Sequence, residues 1–395
     1  MERFDVLIVG AGPAGSTTAY RLAHAGAHVL LLDRARFPRD KPCGGAISAR
    51  ALRELPLDPH PVIEHVADKM ELSYRGRHPH IRGGTHPLAY LTQRSRLDHF
   101  LLQQAMNAGT ELRAGVRVTE IDEHGARVDG RRIDCQMLIG ADGSNGSTAR
   151  SLALTGKRIY GVALEGNLDH EFIDPERWRS RVVIELGTIP GGYCWIFPKG
   201  DHVNIGVGGW ESIGPTLRKH LKELCKRRGL DYSRLTRLRG YRLPARASGA
   251  PLAHGKALLV GDAAGLLDPL WGDGLYAAFL SSRLAASAAL NILAGQLGLQ
   301  DYTRAIVHEL GPMTAFAWDA KQALDRAPRL ALRALLSKPG WRTVENMLRG
   351  QTHEPDIESG IAGIAIRGFQ SLTQHAGWPG TQYRTEAHSD LNQLA

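Results

Sequence analysis

Cysteine is scarce in this chain, and its spacing builds no framework. The four thiols, Cys43, Cys135, Cys194 and Cys225, contain no C-x-x-C pair. That argues against a disulfide scaffold and a cysteine zinc site, and it fits reduced thiols in the cytoplasm. His78 and His80 are the one close histidine pair, with no thiol or carboxylate beside them. They read as a loop, and no metal site is expected. No uncharged apolar run reaches about 18 residues, which removes an obvious membrane-spanning helix. The chain starts on the apolar stretch FDVLIVG, so no secretory leader is expected. Aromatic residues are only 6% of the chain, so any place where they gather needs a reason. Internal repeats and low-complexity tracts are also missing.

What is present is an ordinary globular composition, 43% hydrophobic and 23% charged. A length of 395 residues implies two or three domains. Glycine is abundant at 45, as in chains with tight turns or close backbone–ligand approaches. The formal charge is +9, and much of the excess lies between Arg218 and Arg246. A basic helix followed by more arginines can meet an anionic membrane or a diphosphate, or can be a solvated face. No nucleic-acid fold signature accompanies it, so no nucleic-acid partner is expected.

The first chemical signal is at the amino terminus. Asp5–Val9 reads as a strand buried on both faces, and it meets Gly10-Ala11-Gly12-Pro13-Ala14-Gly15. A helix over Ser16–Ala25 and a strand over His28–Leu32 follow, ending at Asp33, 18 residues past Gly15. Gly10 permits the turn, Gly12 lets the backbone approach a pyrophosphate, and Gly15 lets helix and strand pack closely. The helix N-terminus favours phosphate charge, and Asp33 can accept both ribose hydroxyl protons. An acid here disfavours a 2′-phosphate, so FAD or NAD is expected rather than NADP.

Two later junctions favour FAD. The strand Cys135–Ile139 leads into Gly140-Ala141-Asp142-Gly143. The strand Ala257–Val260 leads into Gly261-Asp262-Ala263-Ala264-Gly265, then DPLWGDGL and a long alanine-rich helix to Leu293. An extended FAD needs such a second acid: Asp262 for its ribityl or pyrophosphate region, with the Gly274-Leu275 helix start beside the flavin ring. No second G-x-G-x-x-G unit appears, so a separate pyridine-nucleotide domain is not expected. Electrons must come from transiently docked NAD(P)H or a reduced protein carrier.

The aromatic residues gather at Tyr193, Trp195 and Phe197, alternate positions of one strand. The next strand, Val203 to Gly208, has Asn204, Gly206 and Gly208 at alternate positions. The rings are either a sheet core or the floor of a site for a flat or greasy ligand. Register decides. A loop over Pro198–Asp201, with Phe197 opposite His202, puts the rings beside Asn204, Gly206 and Gly208. A loop one residue longer puts Val203, Ile205 and Val207 there instead.

The blocks GAGPAG, GADG and VGDAAG, in this order, resemble the flavoprotein superfamily with the p-hydroxybenzoate hydroxylase fold. Within it, Lys41-Pro42-Cys43-Gly44-Gly45, the ring strand through Pro198 and DPLWGDGL resemble the geranylgeranyl reductase family. The resemblance covers about Phe4 to Leu293. It implies an α/β fold, α+β overall, with a Rossmann-like FAD-binding domain, a β-sheet substrate domain and a C-terminal helical segment. The FAD domain is expected from 1–68, 90–155 and 245–300, and the substrate sheet from 69–89 and 156–244. Residues 301–395 are expected to be helical, then polar from His353, with a loose end past Gln382.

The resemblance also implies roles. Cys43 and Gly44 lie by the flavin ring, and Cys43 is the candidate proton donor. Arg94, Val118 and Asp142 contact FAD. Tyr193, Trp195, Phe197 and Trp271 wall a prenyl cavity, with Gly206 and Gly208 leaving room opposite. The implied activity is FAD-dependent saturation of carbon–carbon double bonds in an isoprenoid chain, in a cytoplasmic protein that can also touch membrane. A flavin monooxygenase or halogenase on the same fold is the alternative, although the halogenase W-x-W-x-I-P motif is replaced by Tyr193-Cys194-Trp195-Ile196-Phe197-Pro198.

Overall fold

The apolar run that opens the chain becomes the strand Glu2–Val9, in the middle of an eight-stranded sheet. The structure is a computed structural model, and it describes residues 2–296 and 298–351. The expectations for the chain beyond His353 lie outside the described residues.

Glu2–Val9 pairs in parallel with Arg131–Gly140 on one side and Val29–Asp33 on the other. Ala257–Leu259 adds in parallel to Arg131–Gly140, and Glu111–Ala114 to Val29–Asp33. Three adjacent strands thus end at Gly10, at Ala141-Asp142 and at Gly261-Asp262. The three glycine–acid blocks, far apart in sequence, become one edge. Ligands of open parallel sheets bind at that carboxyl edge.

The first helix runs Pro13–His24, earlier than the Ser16 start read from sequence. Proline suits the first helical position, and Gly15 then falls inside the first turn. There a Cβ would stand 1.8 Å from the Gly10 carbonyl oxygen. The helix packs on Gly274–Leu293, where Ser282 Oγ donates to the Ala14 carbonyl at 2.8 Å. Gly274–Leu293 is long and apolar enough to cross a membrane, but 72% of it is buried in the fold.

The second sheet has seven strands, in the order Thr236–Arg246, Arg158–Asp169, His202–Trp210, Tyr193–Pro198, Arg181–Leu186, Lys69–Tyr74 and Arg77–Gly83. All neighbours are antiparallel except Arg181–Leu186 with Lys69–Tyr74. His78 and His80 lie on the exposed edge strand, not in a loop. One face of the sheet buries Val183, Cys194, Ile196, Ile205 and Val207 against the helix Leu217–Arg228. The opposite face carries Val182, Ile184 and Trp195 and is covered partly by three C-terminal helices, Leu299–Arg326, Pro328–Leu336 and Lys338–Leu348.

The basic segment is largely committed to this architecture. Arg228 bonds Glu71 at 2.6 Å and Arg227 bonds Glu185 at 2.6 Å, and both carboxylates are buried on the sheet. Arg237 and Arg239 pair with Asp40, and Arg242 with Glu211. Arg218, Lys219, Lys222 and Lys226 remain on the exposed face of their helix.

Candidate active site

The dinucleotide end is built as backbone. Gly10 has φ +107°, and a Cβ there would meet the Ala141 oxygen at 2.4 Å. Only glycine closes that crossing between strands. Gly12 is the N-cap of Pro13–His24, which has no side-chain cap and no acid in its first turn. The N–H groups of its first turn therefore have no side-chain acceptor, as an anion site requires. Asp33 is fixed at the edge: Oδ2 accepts Ala11 N–H and Oδ1 accepts Ala35 N–H, each at 2.7 Å. A carboxylate oxygen has lone pairs beyond one bond, so ribose hydroxyls still have acceptors. Gly115 and Val116 donate to the Asp33 carbonyl, which seats the start of the adjoining loop. Val118 opens the strand Val118–Asp122 just beyond.

Asp142 Oδ2 accepts from Thr148 N–H and Oγ, at 2.9 and 2.7 Å. Its Oδ1 is buried without a partner, as an acid awaiting a ligand donor would be. Asp262 lies 3.5 Å from Lys41 Nζ. Gly274 and the buried Leu275 begin the long helix, capped by Asp273, whose Oδ1 accepts Tyr276 N–H at 3.1 Å. These features fit an extended dinucleotide along one edge. Arg94 lies deeper than expected: it is buried, forks onto Asp98 at 2.6 and 2.9 Å, and lines the same small niche as Cys43.

The aromatic hairpin settles its own register. Phe197 pairs with Asn204, Trp195 with Gly206 and Tyr193 with Gly208, because the turn is Lys199–His202. Neither alternative gives this register, and the loop over Pro198–Asp201 differs from it by two. A shift of two leaves every side chain on the same face, so the rings do share their face with the small residues. Gly206, however, does not leave room for a ligand. Trp195 lies over it, with Cζ2 2.0 Å from where a Cβ would stand. The indole is pinned there by a 2.8 Å bond from Nε1 to Asn204 Oδ1, and Asn204 in turn bonds Asn167. The open space lies further along the strand, where Gly208 and Gly209 border it.

That space is a cavity of about 200 Å³. Its floor is the ring face, its side wall is Cys43 to Ala46, and its roof is the loop Leu267–Asp273. The Tyr193 hydroxyl donates to the Trp271 carbonyl, tying floor to roof. The roof is held by Arg50, 2% exposed, which bonds Asp268 and Asp273 at 3.1 and 3.2 Å and stacks on Tyr276. A second cavity of about 150 Å³ shares Ile184, Tyr193, Trp271 and Lys321 with the first. It continues beneath the C-terminal helices, lined by Leu72, Leu186, Phe316, Leu335 and Val344. The basic helix Leu217–Arg228 is on the opposite face of the sheet, so its charge does not border either cavity.

The Cys43 turn is clamped from several sides. Gly44 lies against Phe197, 2.8 Å from a would-be Cβ, and Gly45 takes φ +65°. Lys199 Nζ donates to the carbonyls of Gly44 and Thr92. Glu165 Oε1 accepts the Cys43 N–H at 2.6 Å. Burial pushes the Glu165 carboxyl up to about 7 and pulls the Lys199 ammonium down to about 8.

Comparison with known proteins identifies the frame. Residues 3–184 match the family model of an FAD binding domain, and residues 168–234 that of a geranylgeranyl reductase catalytic domain. Geranylgeranyl diphosphate reductase of Rhodobacter capsulatus is 31% identical over 309 residues, covering 74% of this chain and 76% of that protein. The chain belongs to the geranylgeranyl reductase family of FAD-binding oxidoreductases. Menaquinone reductase of Mycobacterium tuberculosis is another relative, 31% identical over 315 residues, 71% of this chain and 75% of that protein. A geranylgeranyl bacteriochlorophyll reductase-like protein of Thermoplasma acidophilum superposes over all of both chains with TM-score 0.73 at 23% identity, which is a likeness of fold.

Within this reductase-family fold, sequence reasoning brought together Cys43, Gly44, the three rings and Trp271. It missed Glu165, Lys199, Arg50 and Lys321. The signal for Glu165 was a lone acid in the apolar strand segment YGVALEGNL. Lys199 was read only as a turn residue.

Proposed function

We propose that this protein saturates carbon–carbon double bonds of an isoprenoid chain. The observation that carries the reading is the largely apolar, ring-floored cavity with one thiol in its wall, beside an FAD edge. Reduced FAD supplies hydride when bound, drawing electrons from NAD(P)H or a reduced protein carrier. An isolated alkene accepts hydride poorly unless a proton arrives at its other carbon. The Cys43 S–H is the group placed to give that proton. Tyr193, Trp195, Phe197 and Trp271 position the chain and exclude water, so the proton is not lost to solvent.

The other expected assignments belong to the same proposal. Gly10 to Gly15, Asp33, Val118, Asp142, Asp262, Gly274 and Leu275 hold FAD. Arg94 acts from beneath, through Cys43. The FAD domain is 1–68, 90–155 and 245–300, with the substrate sheet at 69–89 and 156–244. Membrane contact falls to the outer face of Leu217–Arg228, and sedimentation with anionic vesicles, lost on Lys219→Glu and Lys222→Glu, tests it.

The deciding assay is anaerobic. Dithionite-reduced enzyme is mixed with geranylgeranyl diphosphate and related prenyl lipids. The reading requires flavin reoxidation and a mass gain of two hydrogens per bond. No reoxidation across the panel refutes it, and substrate-linked oxygen uptake with an oxygenated product moves the protein to the monooxygenase class.

A further inference from the structure

Cys43 stands in a wall between two unlike compartments. On one side is the apolar cavity of about 200 Å³, and on the other a polar niche of about 30 Å³. The niche has room for about one water. Among the described residues, Cys43 alone lines both. Cys43 is therefore the residue through which a proton in the niche can reach the apolar cavity most directly.

Glu165 faces the niche. It is 5% exposed, its Oε1 holds the Cys43 N–H, and its Oε2 is buried with no hydrogen bond. Lys199 opposes it from the hairpin turn, and the partly buried Tyr241 lies near both Glu165 and Cys43. The other charges around the niche are paired. Asp40 holds Arg237 and Arg239, Arg94 holds Asp98, His202 holds Asp201 and Lys41 lies by Asp262. The unused lone pair on Glu165 is thus the open acceptor in this compartment.

We propose that Glu165 is the proton store of the site and reprotonates Cys43 after each transfer into the cavity. This rests on the reductase reading. Each saturated bond takes one hydride, supplied by the reduced cofactor, and one proton from the Cys43 S–H, which leaves a thiolate. The Glu165 carboxylic acid gives its proton to that thiolate and becomes a carboxylate, which recovers a proton from solvent through the niche. A carboxyl raised to about 7 holds its proton in about half of the molecules at pH 7, so it can both give and recover one there.

The test uses the FAD-loaded enzyme and follows Cys43 alkylation by iodoacetamide against pH, read by peptide mass. The other three cysteines are buried, and Cys43→Ser gives the background. Glu165→Gln keeps an acceptor for the Cys43 N–H and removes the charge. Wild type is expected to show a two-step profile and the variant a single step. The step the variant loses is the one that follows ionisation of Glu165. Its kcat for prenyl reduction falls by at least about tenfold with KM unchanged. Glu165→Asp retains the two-step profile. An unchanged alkylation profile in Glu165→Gln overturns the proposal, since a residue that only holds the turn does not alter thiolate formation. A shifted profile in an enzyme that reduces no prenyl lipid overturns the reductase reading instead, and the catalytic use of the store with it.

Discussion

Replacing Gly206 by alanine tests the ring arrangement directly. The new methyl would meet three indole carbons of Trp195 at 2.0, 2.2 and 2.5 Å. Carbon atoms settle at about 3.5–4.0 Å, so the ring must move by more than an ångström. Moving it breaks the 2.8 Å bond to Asn204, a residue only 3% exposed. Overpacking costs about 1–3 kcal/mol and a stranded buried amide about 1–3 kcal/mol. Alanine recovers about 0.5–1 kcal/mol through the unfolded chain. The net expectation is a loss of roughly 2–4 kcal/mol. Equilibrium unfolding in guanidinium of the FAD-loaded protein measures it. In a Trp195→Ala background the same substitution should cost under about 0.5 kcal/mol, since the atoms it strikes are gone. Equal costs in the two backgrounds would refute the placement of the ring.

Three further outcomes follow from the same structure. Glu165 rises from an ordinary 4.5 to about 7, so the native state binds its proton more tightly and stability falls as pH climbs through that window. Glu165→Gln should remove up to about 3 kcal/mol of that fall, seen as a flatter stability–pH curve with no gain below the ordinary carboxylate range. Gly15→Ala drives a methyl into the Gly10 carbonyl at 1.8 Å, and the purified variant should lack bound flavin absorbance. Arg228→Met leaves the buried Glu71 only the longer 3.5 Å contact to Arg181 and should cost about 3 kcal/mol, partly restored by Glu71→Gln, in the same unfolding assay.

The fold was legible where local rules dominate. Buried parallel strands read as short apolar runs, and glycine spacing at Gly10, Gly12 and Gly15 has few structural meanings. The ring face was legible only up to parity: alternation shows which residues share a side, but a shift of two in register leaves that alternation intact. Gly206 shows the limit. A glycine opposite an aromatic strand signals space, and the sequence does not say that the neighbouring indole takes it. Glu165, Lys199 and Arg50 were hidden for a related reason. Each acquires meaning from partners brought near by other strands: the Cys43 turn, Thr92 and the Asp268–Asp273 loop. The basic run was visible as charge, yet its best-ordered members answer buried acids on the sheet. Net charge in a sequence does not separate structural cations from free ones.

The two joined cavities impose an order on the chemistry. Under the proposed function, the reactive wall sits at one end, while the space beyond Tyr193 and Trp271 would only store chain. A substrate with several double bonds can present one of them at a time to a sulfur that does not move. Every further reduction then requires the chain to slide by one repeat or leave and return. The length of the storage space, more than the chemistry at Cys43, would decide whether partly saturated products escape as a ladder or emerge complete.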